Sequence, residues 1–125
     1  MKSLVSFIFV LIITVNTQAQ LVNPKEKYVL YIYSYIEEYY GGEEKAWSWN
    51  STKMIIANNK VTIDGKLSYT LLSVAGLNFN STDWQAQDSD GKKCQFRLTD
   101  IDNYSWKVEV FYNNFQCIYF TTIEP

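Results

Sequence analysis

The sequence predicts an all-β domain, an antiparallel meander of about eight strands that closes into a small barrel. Two observations support this prediction. Apolar residues recur at every second position through most of the chain, which is the period of a half-buried strand. The segments between these runs hold the Asn-Asn and Asp-Gly pairs typical of tight hairpin turns. A two-sheet β-sandwich is the alternative architecture, because the same strands would serve it equally well.

The first strand is predicted over residues 27–39, where Leu30 and Ile32 alternate with Tyr31 and Tyr33. The following strands are predicted over residues 46–50, 53–57, 60–64, 67–74, 82–88, 92–99, 104–112 and 115–123. The segment 75–81 is the longest break between strands, and it is expected to cover one end of the barrel.

The predicted turns determine how neighbouring strands align. Asn58-Asn59 and Asn113-Asn114 fit two-residue turns that allow positive φ angles, and residues 64–66 and 89–91 fit three-residue loops. The resulting pairs are Ile56 with Val61, Met54 with Ile63, Ile63 with Leu67, Val61 with Tyr69, Ala86 with Cys94, Trp84 with Phe96, and Tyr112 with Phe115. Each alignment places apolar side chains on one face, and a slip of one residue would expose them.

The first 19 residues are predicted to be a secretory signal peptide. A lysine precedes an apolar run over residues 4–13, and the small residues Thr17 and Ala19 precede the expected cleavage point. That run is shorter than the roughly 20 residues needed to span a bilayer. Residues 20–125 are then a single β domain, expected to be secreted or periplasmic and without stable membrane insertion.

The composition narrows the classes of function. The chain has 4 Trp, 10 Tyr and 7 Phe but no histidine, which excludes nucleophile-histidine catalysis, histidine-ligated zinc and an imidazole pH switch. Basic and acidic residues, 11 and 13 of them, are mixed along the chain, so no basic stripe is available for nucleic acid. No cofactor is expected, and no nucleic-acid partner.

Two pairs of carboxylates are candidates for hydrolytic chemistry, Glu37 with Glu38 and Glu43 with Glu44. A glycosidase needs two carboxyl groups on either side of one bond. Adjacent residues in a strand point to opposite faces, so local geometry does not bring either pair together. We therefore interpret them as a solvated strand end and turn, and expect no enzymatic activity, with a carboxylate-based hydrolase as the alternative.

Asp88 and Asp90 precede Gly91 and resemble the beginning of a calcium loop. A complete loop needs a glutamate at its twelfth position, whereas here Lys92 and Lys93 follow at once. The same residues suit a hairpin turn with Gly91 in the left-handed conformation. We predict no metal site, with these two aspartates as weak candidates for a structural cation.

Cys94 and Cys117 are an even pair in a chain predicted to be exported, which usually indicates a disulfide. The predicted alignments place both cysteines opposite Val110, one on each side of its strand. The two would then lie about 9–10 Å apart, beyond the roughly 7 Å that a disulfide tolerates between Cα atoms. We predict two buried free thiols.

The aromatic residues that alternate away from the core are the candidate binding residues. If the barrel closes, its first and last strands pair, and their outward side chains gather on one surface. The predicted surface consists of Tyr31, Tyr33, Tyr35, Phe111, Ile118 and Phe120. Large exposed apolar surfaces commonly mark binding sites, and tyrosine is rigid and amphipathic. The alternatives are that residues 20–26 or 75–81 cover this surface, or that a sandwich buries it.

A resemblance adds to this interpretation. It is carried by Trp84-x3-Asp88-x-Asp90-Gly91-x2-Cys94, by Tyr112-x6-Tyr119, and by Gln18-Ala19-Gln20 at the end of the predicted signal. These residues resemble small exported proteins of the Bacteroidota, which implies export and a compact β fold but no activity. A looser similarity is to periplasmic lysozyme inhibitors, also small barrels, whose inhibitory loop motif is not found in this sequence.

The sequence therefore predicts a non-catalytic exported binding module that engages a protein or a glycan through outward aromatic side chains. A small-molecule carrier that uses the barrel interior is one alternative, and a lysozyme-inhibitor-like protein is another. The many bulky inward residues favour a filled interior over a ligand cavity.

Overall fold

A computed structural model describes residues 23–102 and 104–124. These residues form eight antiparallel strands, each paired with the next along the chain, and the last pairs with the first to close a barrel. The strands are β1 (Tyr28–Tyr39), β2 (Glu44–Ala57), β3 (Lys60–Ile63), β4 (Leu67–Leu77), β5 (Ser81–Asp88), β6 (Lys93–Asp100), β7 (Ser105–Phe111) and β8 (Phe115–Thr122). The predicted meander barrel is confirmed and the sandwich alternative is not adopted. The predicted signal peptide, residues 1–19, lies outside the described residues.

The turn chemistry sets the alignment of the central strands as predicted. The pairs Ile56–Val61, Met54–Ile63, Ile63–Leu67, Val61–Tyr69, Ala86–Cys94 and Trp84–Phe96 are all present. Asn58 and Asn59 take φ angles of 54° and 61°, and Gly91 takes 84°, as their turns require. The turn after β7 closes with the Tyr112 N–H donating to the Phe115 carbonyl, although neither of its two asparagines has positive φ. Local turn residues therefore determine these alignments.

Two element boundaries differ from the prediction. The predicted strands 46–50 and 53–57 are one strand, β2, with a bulge inside it. The predicted break at 75–81 shrinks to residues 78–80, because Gly76 and Leu77 pair with Asp83 and Thr82. This segment does not cover the barrel end, since Phe79 at its tip is 86% exposed.

The alignment of β6 with β7 also differs, by two residues. The prediction placed Cys94 opposite Val110, whereas Phe96 is opposite Val110 in the structure. Alternation fixes only which residues face inward, and a shift of two preserves that face. On the other side of β7, Cys117 is opposite Val110 as predicted.

A bulge in the β1–β2 pair changes which side chains of β1 face inward. Ile32 is opposite Thr52 and Ser34 is opposite Ser48, so three residues of β2 face the single residue Tyr33. The Ser51 backbone lies in the left-handed region, with φ of 51°, inside this bulge. On the other side of β1, Ile32 and Ser34 are opposite the consecutive residues Thr121 and Phe120 of β8, so Tyr33 is one extra residue. One extra residue reverses the alternation of side chains, and the inward series of β1 changes from even to odd positions.

The core is built from every strand of the barrel. Its buried apolar residues are Leu30, Ile32, Tyr35, Met54, Ile56, Val61, Ile63, Tyr69, Leu71, Trp84, Ala86, Cys94, Phe96, Leu98, Val108, Val110, Cys117 and Tyr119. Three of the largest rings touch at its centre, where Phe96 lies 6.1 Å from Tyr69 and 6.0 Å from Trp84, measured between ring centroids. The interior is therefore occupied by side chains, in agreement with the predicted filled core.

The third strand is much shorter than its neighbours. β3 has 4 residues, whereas β2 has 14 and β4 has 11. Only Met54–Ala57 of β2 pair with β3, so the edge of residues 44–52 that faces away from β1 has no strand partner among the described residues. This unpaired stretch of β2 begins at the barrel end that carries the β1–β2, β3–β4, β5–β6 and β7–β8 turns, which we call the mouth, and runs to the middle of the barrel wall.

Candidate functional site

The predicted outward surface divides into separate parts in the structure. Tyr33, which is 47% exposed, contacts Phe120 with ring centroids 6.4 Å apart. Ile118 lies beyond Phe120 on β8, and Phe111 on β7 lies under the guanidinium of Arg97 at 4.9 Å. Lys107 and Glu109, which approach within 3.6 Å on the outward face of β7, form a polar row beside Phe120 and Ile118. The surface is thus a mixed one and not a continuous apolar patch.

Tyr35 does not belong to that surface, and its prediction as an outward residue is wrong. The bulge at Tyr33 turns Tyr35 into the barrel, where it is 9% exposed. Its ring stacks on Trp47 and Trp49 at 5.4 and 4.9 Å and meets Tyr119 at 4.8 Å. Its burial raises the pKa of its hydroxyl above the ordinary value for tyrosine.

Three tyrosines surround a depression at the barrel end opposite the mouth. Tyr31, Tyr33 and Tyr104 line it together with Ser51, Thr122 and Glu124, and its volume is about 380 Å³. Tyr104 is 63% exposed and was predicted to be the first residue of a strand, but β7 begins one residue later. We call this site the tyrosine depression. It joins two of the predicted binding residues with one that the sequence pattern misassigned.

Glu37 and Glu38 at the mouth point to opposite faces of β1, whereas Glu38 and Glu44 are opposite each other across the β1–β2 pair. Glu37 faces inward and accepts hydrogen bonds from the hydroxyls of Tyr35 and Tyr39 at 2.7 and 2.9 Å. Glu38 faces outward and accepts one from Gln116 at 2.8 Å, as strand alternation predicts. Glu43 and Glu44 are exposed. The two carboxylates of the Glu37–Glu38 pair therefore cannot reach one substrate bond from this strand.

Stacked rings cross the mouth of the barrel. Phe115 lies between Tyr39, at 5.3 Å, and Tyr112, at 4.7 Å, with nearly parallel ring planes. The Tyr112 hydroxyl donates to Asp88 at 2.8 Å and so anchors the stack to the β5–β6 turn. Burial, and next the bond to Asp88, raise the pKa of the Tyr112 hydroxyl. The mouth is closed by side chains that are held in place at both ends.

Asp88 acts as the organising residue of its turn. Its carboxylate accepts hydrogen bonds from the backbone N–H groups of Asp90 and Lys92, in addition to the Tyr112 hydroxyl. Burial alone would raise the pKa of Asp88, but these hydrogen bonds outweigh it and lower the pKa below its usual value. Among residues 23–102 and 104–124, no three acidic or sulfur ligands come together for a metal ion.

Cys94 and Cys117 are free and buried in the structure, on β6 and β8, with β7 between them. Burial, and next the nearby charge of Asp88, raise the pKa of the Cys94 thiol to about 11. Burial also raises the pKa of Cys117, whose sulfur hydrogen-bonds the Tyr35 hydroxyl at 3.3 Å. Both groups are therefore protonated and unreactive near neutral pH, because the thiolate is the nucleophile.

We expect Ellman's reagent at pH 8 to leave both thiols of the native protein unmodified on the timescale of minutes. After denaturation without reductant it should titrate both of them. A denatured protein with no titratable thiol would contain a disulfide, and would contradict the position of β7 between the two cysteines.

The unpaired edge of β2 borders a second depression, which the sequence pattern did not indicate. It has a volume of about 430 Å³ and lies between residues 48–52 and the β3–β4 turn. Trp49, Ile63 and Leu67 supply its apolar lining, and Asp64 and Lys66 supply charge. We call this site the Trp49 groove. It forms because β3 is too short to accompany β2 along its whole length.

The described residues contain no helix long and apolar enough to cross a membrane. Comparison with known proteins identifies no matching family model, no similar curated protein and no similar solved structure.

Proposed function

We propose that the protein is a non-catalytic exported binding module that takes up a glycan on the tyrosine depression. One observation carries the proposal: Tyr31, Tyr33 and Tyr104, from two distant parts of the chain, line one depression of about 380 Å³. Ligand sites of small molecules typically begin at about 300 Å³. The volume suits one or two sugar rings.

The chemistry of the lining fits a carbohydrate. Exposed tyrosine rings offer flat apolar faces for the C–H surface of a sugar, and their hydroxyls remain available for hydrogen bonds. Ser51, Thr122 and Glu124 add hydroxyl and carboxylate oxygens at the border. No lysine or arginine lines the depression among the described residues, so a neutral sugar suits it better than an anionic one.

Two features support binding without catalysis and on the outside of the barrel. The chain lacks histidine, and the inward Glu37 and outward Glu38 lie on opposite faces. The interior is occupied by rings such as Tyr69 and Phe96, both at most 2% exposed, which disfavours carriage of a ligand there.

The test is affinity for a panel of immobilised neutral oligosaccharides, followed by calorimetry on the best binder. We expect Tyr33→Ala and Tyr104→Ala each to weaken binding about tenfold, because each removes a stacking face. Both side chains are largely exposed, at 47% and 63%, so folding should be preserved. Circular dichroism verifies the fold of each variant.

Tyr40→Ala is the matched control. Tyr40 is 54% exposed, close to the value for Tyr33, but lies at the mouth, at the other end of the barrel. Its removal should leave the affinity unchanged. Equal losses in all three variants, or no binding to any glycan while a protein partner is captured through Tyr33, would refute the glycan proposal.

A further inference from the structure

The unpaired edge of β2 is a feature of which the proposed glycan site uses only Ser51. Nine residues, Glu44–Thr52, have no described strand on the side away from β1; six of them pair with β1, and residues 49–51 form the bulge. Exposed strand edges are templates for pairing, and proteins usually protect them with proline, charge or a short length. This stretch contains no proline, and its charges, Glu44 and Lys45, stand together at one end. Its one protection is the bulge at residues 49–51, and residues 44–48 before the bulge keep a regular edge that can accept another strand.

The charges along this edge are arranged with opposite signs at its two ends. Glu43 and Glu44 outnumber Lys45 at its beginning, and Lys53 and Lys66 outnumber Asp64 at its end. An antiparallel strand of identical sequence brings the beginning of one copy to the end of the other. Each acidic end then meets a basic end, and a two-fold axis produces this match twice.

The side-chain faces are consistent with that match. Lys45 lies over the inward ring of Tyr39 at 5.8 Å, so Glu44 is on the outer face. Met54 is buried, so Lys53 before it is also on the outer face. With Ser48 at a two-fold axis, Lys53 of one copy follows the residue opposite Glu44 of the other. The bulge reverses the alternation of β2 between these positions, so both charged side chains lie on the outer face.

An exposed tryptophan supplies an apolar contact for the same arrangement. Trp47 is 43% exposed despite its stack on Tyr35. With Ser48 at the two-fold axis, Trp47 of one copy lies opposite Trp49 of the other, next to the Trp49 groove. Pairing would cover a large aromatic side chain that is otherwise in contact with water.

We propose that two copies of this chain associate by antiparallel pairing of their β2 edges about a two-fold axis near Ser48. The proposal does not rest on the glycan site, although Ser51 belongs both to this edge and to the border of the tyrosine depression. One strand pair and two tryptophan contacts make an interface smaller than a standard one, so we expect a weak dimer that dissociates in the micromolar range.

Sedimentation equilibrium of the purified protein across micromolar to millimolar concentrations is the first measurement. We expect a reversible monomer–dimer equilibrium that shifts toward monomer when the salt concentration rises from about 0.05 to 0.5 M, because the end charges are screened. A protein that stays monomeric up to millimolar concentration overturns the proposal.

Charge variants then test whether the β2 edge forms the dimer interface. In Glu44→Lys both ends become basic, and in Lys53→Glu both become acidic, so each variant alone should dimerise at least fivefold more weakly than the natural chain. An equimolar mixture of the two should recover association, because each end of one variant is then opposite an unlike end of the other. Both side chains are exposed, so folding should persist.

Asp90→Lys is the matched control, since it makes the same charge change as Glu44→Lys at an exposed turn away from β2. It should dimerise as the natural chain does. Equal weakening by Asp90→Lys and Glu44→Lys would show an effect of net charge alone and overturn the assignment to β2. Failure of the mixture to recover association would overturn the antiparallel two-fold arrangement.

Discussion

Tyr35→Ala is expected to lower the free energy of unfolding by about 3–5 kcal/mol, the range for removing a large buried aromatic side chain. The ring of Tyr35 stacks on Trp47, Trp49 and Tyr119 and is 9% exposed. Its loss would leave a cavity beneath the mouth and remove a hydrogen bond to Glu37. Urea denaturation followed by fluorescence measures the change.

Tyr33→Ala is the control for that experiment, because the two tyrosines are two residues apart in the same strand. A regular strand would place both on one face, whereas the bulge separates them. Because Tyr33 points outward, Tyr33→Ala should lower the free energy of unfolding by less than about 1 kcal/mol, as surface substitutions usually do. Similar losses for the two variants would contradict the bulge and the inward position of Tyr35.

The second large effect concerns the hydroxyls of Tyr69 and Tyr119, which share a hydrogen bond of 3.0 Å in the core. Both residues are at most 2% exposed, and burial raises the pKa of both hydroxyls. Tyr69→Phe or Tyr119→Phe alone should lower the free energy of unfolding by about 1–3 kcal/mol, because a buried hydroxyl loses its partner. The double variant should lose less than the sum of the two single losses, since no orphan hydroxyl remains.

A thermodynamic cycle of the four proteins, measured by urea denaturation, gives the coupling between the hydroxyls. Tyr31→Phe, which removes a hydroxyl from a partly exposed outward ring, provides the reference for a change outside the core. Additive losses in the double variant would show that the two hydroxyls do not depend on each other.

Much of the fold follows from local chemistry. Asn58-Asn59 and Asp64-Gly65 have little choice of conformation, so each sets the alignment of its hairpin. The alternation of apolar residues then confirms the same alignment independently. The predicted β6–β7 alignment was wrong by two residues because the sequence between these strands offers no such signal, and parity allows several alignments.

The bulge in the β1–β2 pair could not be predicted from the alternation of apolar residues, for a different reason. It depends on how β2 meets β1, and it puts Ser51, a residue without special preference, at a φ of 51°. The left-handed backbone at Ser51 is unfavourable locally and is accepted because the ring of Tyr35 becomes buried. Local sequence propensities do not indicate that an unfavourable backbone conformation at Ser51 is offset by the burial of Tyr35.

The candidate sites were predicted in part. Tyr31 and Tyr33 are outward and share a depression, as alternation on the first half of β1 indicates. Tyr104 was missed because the boundary of β7 was misplaced by one residue. The Trp49 groove was missed because it arises from the difference in length between β2 and β3, which no single strand reveals.

The short length of β3 also determines where the barrel can open most easily. The barrel wall is continuous only through four residue pairs on each side of this strand, Lys60–Ile63. Separating β3 from β2 would convert the closed barrel into an open sheet of the same strands, with β2 and β3 as its two edges. Regions with few paired backbone groups open at the lowest free energy. Local opening of the closed barrel should therefore begin between β2 and β3, and it should expose the interior side of the barrel wall that carries Tyr69.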